Sequence, residues 1–189
     1  MLTDDGVAGT TVALSSAFSR TSHGTAFLLA GSGATVLGLT SPANLAYTEA
    51  LGAYDVVLPY GSEDQVPAPA VHVDVAGSGA VTMRLRDALG DGLTREWIVG
   101  LAAQDPAGGA RPLPDGRTGV FFAPDRIRQR TADWGRDGFE TRLVEVWRRF
   151  LPAAPDRIEV GDGPEALRAA WVPLTTGPVT PGVGRILRF

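Results

Sequence analysis

Over its first hundred residues the chain alternates short β-branched, apolar runs with helix-forming stretches, a pattern few folds accept. A parallel strand is buried on both faces, so each such run needs a helix to carry the chain back to the same edge of the sheet. The predicted strands are Thr11-Val12-Ala13-Leu14, Thr35-Val36-Leu37-Gly38-Leu39, Val56-Val57-Leu58, Val71-His72-Val73-Asp74-Val75 and Trp97-Ile98-Val99-Gly100-Leu101. Helices are predicted over 21–31, 42–51 and 79–89. The second has Ser41 as its cap and Pro42 at the first helical position, where a missing N–H costs nothing. With right-handed crossovers these units give an α/β protein: a Rossmann-like, doubly wound parallel sheet of three layers in a single domain, 1–189.

Residues 1–101 carry the βαβ units. The stretch 102–119, rich in Gly, Pro, Asp and Ala, reads as a surface loop expected at the carboxyl edge of the sheet. Residues 120–189 supply C-terminal helices and strands. An amphipathic segment over 137–151 places Phe139, Leu143, Val146, Trp147 and Phe150 on one face and is expected to pack on the sheet. Strands are predicted over 158–160 and 184–189, with a helix over 164–171.

What the 189 residues lack removes several chemistries. All 17 basic side chains are Arg, so a Walker phosphate lysine, a Schiff base and a Tyr-x-x-x-Lys pair are excluded. There is no Cys, which removes thiol nucleophiles and thiolate zinc sites. With His only at positions 23 and 72, a metal-free protein is expected. The first nine residues carry Asp4 and Asp5 and no basic stretch. No apolar run approaches the roughly 20 residues that span a bilayer. A soluble cytoplasmic protein with no membrane contact is the expectation. The excess of Arg over 111–149 alternates with Asp125 and Asp133, which reads as an ion-paired helix face and not as a nucleic-acid surface.

The first strand-to-helix turn is the candidate ligand site. A dinucleotide needs a tight turn after the first strand, so that its pyrophosphate meets the N–H groups and positive dipole end of the next helix. Glycines usually make that turn. Here the three fingerprint positions fall at Ser16, Ser19 and Ser22 of Ser15-Ser16-Ala17-Phe18-Ser19-Arg20-Thr21-Ser22. A serine Cβ restricts the approach of a phosphate, whereas its hydroxyl donates to one and Arg20 adds a fixed charge. A bound cofactor and a helix merely capped by Ser and Thr both remain open on these residues. The second strand ends in Leu39-Thr40-Ser41-Pro42-Ala43-Asn44 with no carboxylate to accept from a ribose 2′-hydroxyl, which favours NADP over NAD.

These runs, with Leu51-Gly52-Ala53-Tyr54-Asp55-Val56-Val57, Val73-Asp74-Val75-Ala76-Gly77, Phe121-Phe122-Ala123-Pro124-Asp125-Arg126-Ile127-Arg128 and the ending Gly182-Val183-Gly184-Arg185-Ile186-Leu187, resemble a bacterial and fungal family of unknown function. That family is related to the zinc-free, quinone- and enoyl-reductase-like branch of the medium-chain dehydrogenases/reductases. The resemblance implies that Ser16, Ser19, Arg20, Thr21 and Ser22 face a pyrophosphate, Thr40, Ser41 and Asn44 the adenosine, and Ala76, Gly77 and Gly100 the nicotinamide. In the family a GroES-like domain precedes the nucleotide domain, and this chain is expected to lack it. The family's turn usually carries Lys at the place of Arg20, and often a basic residue near Ala43; both are departures.

No catalytic acid or base carries over. Asp125, Arg126, Arg130 and Trp134 are the local candidates for polarising a substrate, against an exposed, ion-paired role for each. Tyr60 and His72 read as structural, His72 as a satisfied core residue. The function this implies is an NADP(H)-dependent oxidoreductase of specialised metabolism acting on a small carbonyl or enone, with a homodimer or a partner domain completing the pocket. The alternatives are a cofactor-free cyclisation, isomerisation or hydrolysis, and a non-enzymatic subunit docking on a separate GroES-like partner.

Overall fold

The computed structural model describes residues 2, 6–100, 112–113, 115–154, 157–176 and 181–189. Six parallel strands make one sheet: β1 (Thr11–Leu14), β2 (Thr35–Thr40), β3 (Val56–Pro59), β4 (Ala70–Asp74), β5 (Leu93–Ile98) and β6 (Thr118–Val120). Their order is β3-β2-β1-β4-β5-β6. The chain therefore winds outward from β1 to β3, returns to the other side of β1 and winds outward again. Val12 of β1 stands level with Val36 on one side and Val71 on the other. This order reverses between β1 and β4, which opens a crevice at their carboxyl ends.

Alternating side chains feed two cores. Val12, Leu14, Val36, Val71, Val73 and Trp97 pack with Ala26 and Leu29 of α1 (Arg20–Leu29). On the opposite face Ala13, Leu37, Leu39 and Ala70 pack with Val81 and Leu85 of α3 (Gly79–Leu89). A short α2 (Leu45–Ala50) follows a 3-10 turn over Pro42–Asn44. Every residue of β1 and β4 is buried, and each buried Val or Leu contributes about 1.5–3 kcal/mol. The three-layer, doubly wound α/β fold is as the sequence predicts.

The details differ where polar residues are buried. β5 begins at Leu93, not Trp97, because the charged Glu96 is buried and reads in sequence as surface. Its carboxylate receives Arg86 of α3 and the Thr118 hydroxyl (3.0 Å) and faces His72 Nδ1 at 3.4 Å. Burial alone would raise this carboxyl, but the hydrogen bonds from His72, Arg86 and Thr118 outweigh it and hold it at about 2. The other ring nitrogen of His72 has no hydrogen-bond partner among the described residues, so this core histidine is satisfied on one side only. Residues Thr118 and Gly119, predicted in the loop, belong to edge strand β6. Residues 101–111 and 114, which hold the end of the predicted fifth strand and most of that loop, lie outside the described residues. Ser41 makes no side-chain cap bond to the turn it precedes.

The C-terminal part departs further. Helix α4 (Ala123–Phe150) is broken at Gly135, whose φ of 71° and ψ of 163° are non-helical. β7 (Arg157–Asp162) and β8 (Val183–Arg188) pair in parallel as a separate two-stranded sheet, with α5 (Gly163–Thr176) between them in sequence. The apolar face predicted over 137–151 does not pack on the sheet. Phe150 alone of that face is buried, its ring edge-on to His23 and Phe27 of α1 (centroids 5.0 and 5.4 Å), while Leu143 and Trp147 stay more than half exposed. No helix among the described residues is long and apolar enough to cross a membrane.

Candidate functional site

The turn joining β1 to α1 lies at the carboxyl edge of the sheet, at the point where strand order reverses. Its three serines do three different jobs. Ser16 has φ 51° and is the one non-glycine residue with positive φ among the described residues. It takes the left-handed conformation that glycine adopts freely, at a cost of roughly 1–2 kcal/mol. Ser19 is the N-cap of α1, accepting from the Ser22 N–H at 3.2 Å. Ser22 is fully buried and its hydroxyl donates to the Ser15 carbonyl at 2.7 Å. Ser22 therefore shapes the turn from beneath, its hydroxyl engaged by the Ser15 carbonyl.

Two tyrosines grip the turn from outside. The Ser16 N–H donates to the Tyr60 hydroxyl oxygen at 2.8 Å, and the Tyr54 hydroxyl donates to the Ala17 carbonyl at 2.7 Å. Gly38 of β2 makes room for this: a Cβ there would lie 2.8 Å from the Ala17 Cβ and 3.0 Å from the Tyr54 ring. Burial pushes both phenols up, and for Tyr60 the negative charges of Asp74 and Glu63 add to it against the opposing Ser16 N–H. Both therefore stay protonated near neutral pH.

A second network ties β1 to β4. The buried Ser15 hydroxyl donates to Asp74 Oδ1 (2.9 Å) and accepts from the N–H groups of Val75 (2.9 Å) and Ala76 (3.2 Å). Asp74 also accepts from the Gly77 N–H (2.8 Å) and the Thr82 hydroxyl (3.3 Å). The end of β5 closes onto β4: a Cβ on Gly100 would sit 1.8 Å from the Val75 carbonyl oxygen, so only glycine fits. Ala76, Gly77 and Gly100 thus come together at one side of the crevice. At the other side, Thr40 is fully buried and its hydroxyl has no hydrogen-bond partner among the described residues. Ser41 and Asn44 follow it, both half-buried.

The remaining candidates lie elsewhere. The Arg20 guanidinium lies against β8, a nitrogen 3.1 Å from where a Cβ on Gly184 would stand. Thr21 is exposed at the start of α1. Asp125, Arg126, Arg130 and Trp134 all lie on α4, where they mainly engage its own turns, and Arg126 also lies over the Trp97 ring of β5 (5.6 Å). Asp125 pairs with Arg128, Arg126 donates to Gln129 (3.0 Å), and Arg130 pairs with Asp133 (2.9 Å) and lies over Trp134. Among the described residues no group of three or more His, Asp or Glu is placed to hold a metal ion.

Sequence reasoning treats Tyr60 as structural and passes over Tyr54, Ser15 and Asp74. Ser15 and Asp74 are 59 positions apart, and only the sheet brings them together. Beside the turn, an apolar cleft of about 650 Å³ runs between α1, the end of α4 and the β7–β8 sheet, lined by Phe27, Leu143, Trp147, Phe150, Ile158 and Ile186.

No curated protein matches the chain. Several solved structures do. The chain is similar to CurA of Vibrio vulnificus in complex with NADPH (TM-score 0.61, 14% identity, 95% of this chain and 57% of that one). It is similar to E. coli K-12 YHDH with bound NADPH (TM-score 0.62, 18% identity, 98% and 57%). It is also similar to the quinone oxidoreductase of Thermus thermophilus, described with its NADPH complex (TM-score 0.60, 16% identity, 91% and 56%). The chain spans little more than half the length of these proteins, and at such identity the likeness shows a shared fold. The model of one family, described as a protein of unknown function (DUF2855), matches residues 1–180, nearly the full length. On that match, this chain belongs to the DUF2855 family.

Proposed function

We propose that the chain is a cytoplasmic NADP(H)-dependent oxidoreductase-like protein acting on a small carbonyl or enone. One observation carries this reading: a left-handed turn opens α1 at the crevice where strand order reverses, the place where open α/β sheets bind dinucleotides. The orphaned, buried hydroxyl of Thr40 at the same edge supports it, since a buried polar atom is normally paired.

In this reading the leading N–H groups of α1 at Arg20 and Thr21 receive the pyrophosphate, while Ser16, Ser19 and Ser22 set the shape of the turn. Thr40, Ser41 and Asn44 take the adenosine, where no carboxylate selects NAD. Ala76, Gly77 and Gly100 form the floor beneath the nicotinamide, kept flat by the close approach of Gly100 to Val75. The bound cofactor would supply or accept a hydride. The test is fluorescence titration with NADPH and NADH: saturable NADPH binding tighter than that of NADH is expected, and no NADPH binding up to about 1 mM overturns the reading.

A second reading concerns assembly. The apolar cleft and the exposed Leu143, Trp147, Ile158 and Ile186 around it support a homodimer or a separate partner domain covering this face and completing a substrate pocket. Sedimentation across a concentration series tests the homodimer, and a monomer throughout counts against it.

A further inference from the structure

The turn keeps a glycine's shape with a serine in glycine's place, and something must hold it there. Two tyrosines act on the peptide groups that flank Ser16 and Ala17. The Ser16 N–H is held by Tyr60, which directly follows β3 and packs against the core shared with α3. The Ala17 carbonyl is held by Tyr54, which precedes β3 and packs against the core shared with α1. The two phenols therefore reach the turn from the two faces of the sheet, one taking a donor and the other an acceptor. The chain around them is fixed as well: the Tyr60 N–H donates to the Thr40 carbonyl (2.7 Å), and the Ala17 N–H donates to the Leu39 carbonyl (3.0 Å).

We propose that Tyr60 is a positioning residue of the phosphate turn, its hydroxyl holding Ser16 in the left-handed conformation while Tyr54 holds the Ala17 carbonyl, so that a serine-built turn retains the geometry glycines supply elsewhere. This rests on the dinucleotide reading above for its consequence, but not for its geometry. Tyr60 acts through Ser16, and removing the Cβ of residue 16 must therefore make Tyr60 dispensable.

Two measurements test it. In the ligand-free protein, amide hydrogen exchange at Ser16 is expected to be slow in the wild type and about tenfold faster in Tyr60→Phe, since one net hydrogen bond is lost. An unchanged Ser16 amide overturns the proposal whether or not NADPH binds. In NADPH titrations, Y60F is expected to raise Kd about tenfold, and the double variant Y60F/S16G to return it to within about threefold of wild type, because glycine takes positive φ unaided.

A loss that S16G does not restore means that Tyr60 touches the ligand or merely packs, and overturns the proposal. Unchanged affinity in Y60F does the same. A wild type that binds no NADPH while its Ser16 amide responds as stated refutes the dinucleotide reading and leaves the clamp standing.

Discussion

The two ends of the molecule spend similar side chains in opposite ways. Up to Ile98, outside the edge strand β3, Val, Leu and Ala of the strands are largely buried between the helices, and even carboxylates are buried, each receiving a guanidinium. Glu63 receives both Arg84 Nε (2.9 Å) and a terminal guanidinium nitrogen (3.0 Å), and Glu96 receives Arg86 and Thr118. From Ala123 onward, Phe150 and Ala170 are the buried apolar residues among those described, while Trp147, Trp171, Ile158, Ile186 and Phe189 are more than half exposed. Amphipathic pattern is common to both parts. What differs is the presence of a second layer: β1 and β4 lie between two strands and two helices, whereas the β7–β8 pair has two open edges. Periodicity identifies a face that requires cover, and only the tertiary structure shows whether the chain provides it.

Five substitutions would break or sharpen this contrast. Leu14→Ala, in the fully buried β1, is expected to cost about 4 kcal/mol in urea unfolding, the loss of a packed side chain plus its cavity. Arg86→Met should cost about 3 kcal/mol by leaving the Glu96 carboxylate buried without its cation.

The same carboxylate sets a pH dependence. Glu96 is held at about 2 in the folded protein, against about 4.3 in an unfolded chain. Its stabilisation is therefore fully present above about 4.3 and is lost as pH falls toward 2. The part of the acid-side slope due to Glu96 should vanish in Glu96→Gln, and an unaltered slope would show that the network does not titrate with folding.

Gly38→Ala pushes a Cβ against Ala17 and Tyr54. It is expected to cost about 1–3 kcal/mol and to weaken NADPH binding, through displacement of the turn. Trp147→Ala, at 55% exposure, should change stability by at most about 0.5 kcal/mol. A cost near that of Leu14→Ala would mean that a partner covers this face in solution and would erase the contrast between the two parts.

Much of the first half is legible in the sequence. β1 matches its predicted residues, β2 to β4 fall within a residue or so, and the order of the units gives the doubly wound sheet. Positions 16, 19 and 22 are identifiable by spacing after β1. Their division of labour is not: one residue strained, one capping and one buried is a consequence of where Tyr60, the α1 N-terminus and the Ser15 carbonyl stand. The predicted β5 starts late because Thr94-Arg95-Glu96 looks solvated until Arg86, His72 and Thr118, from three other elements, are brought to it. Sequence offers Arg20 as the charge for a phosphate, and the fold lays it beside Gly184 of β8.

By itself the sequence determined the alternation of strand and helix, the exclusion of lysine, thiol and zinc–thiolate chemistry, and the location of the turn that follows β1. Those properties are local or compositional and need no partner. Tertiary structure alone decided the pairing of Ser15 with Asp74, the two-sided hold of Tyr54 and Tyr60, the burial of Glu96, and the exposure of the apolar face of α4. Each of these depends on groups tens of residues apart meeting at a common edge of the sheet, or failing to meet. Burial and hydrogen bonding are fixed by that meeting, because the same side chain is stabilising when paired and costly when left alone.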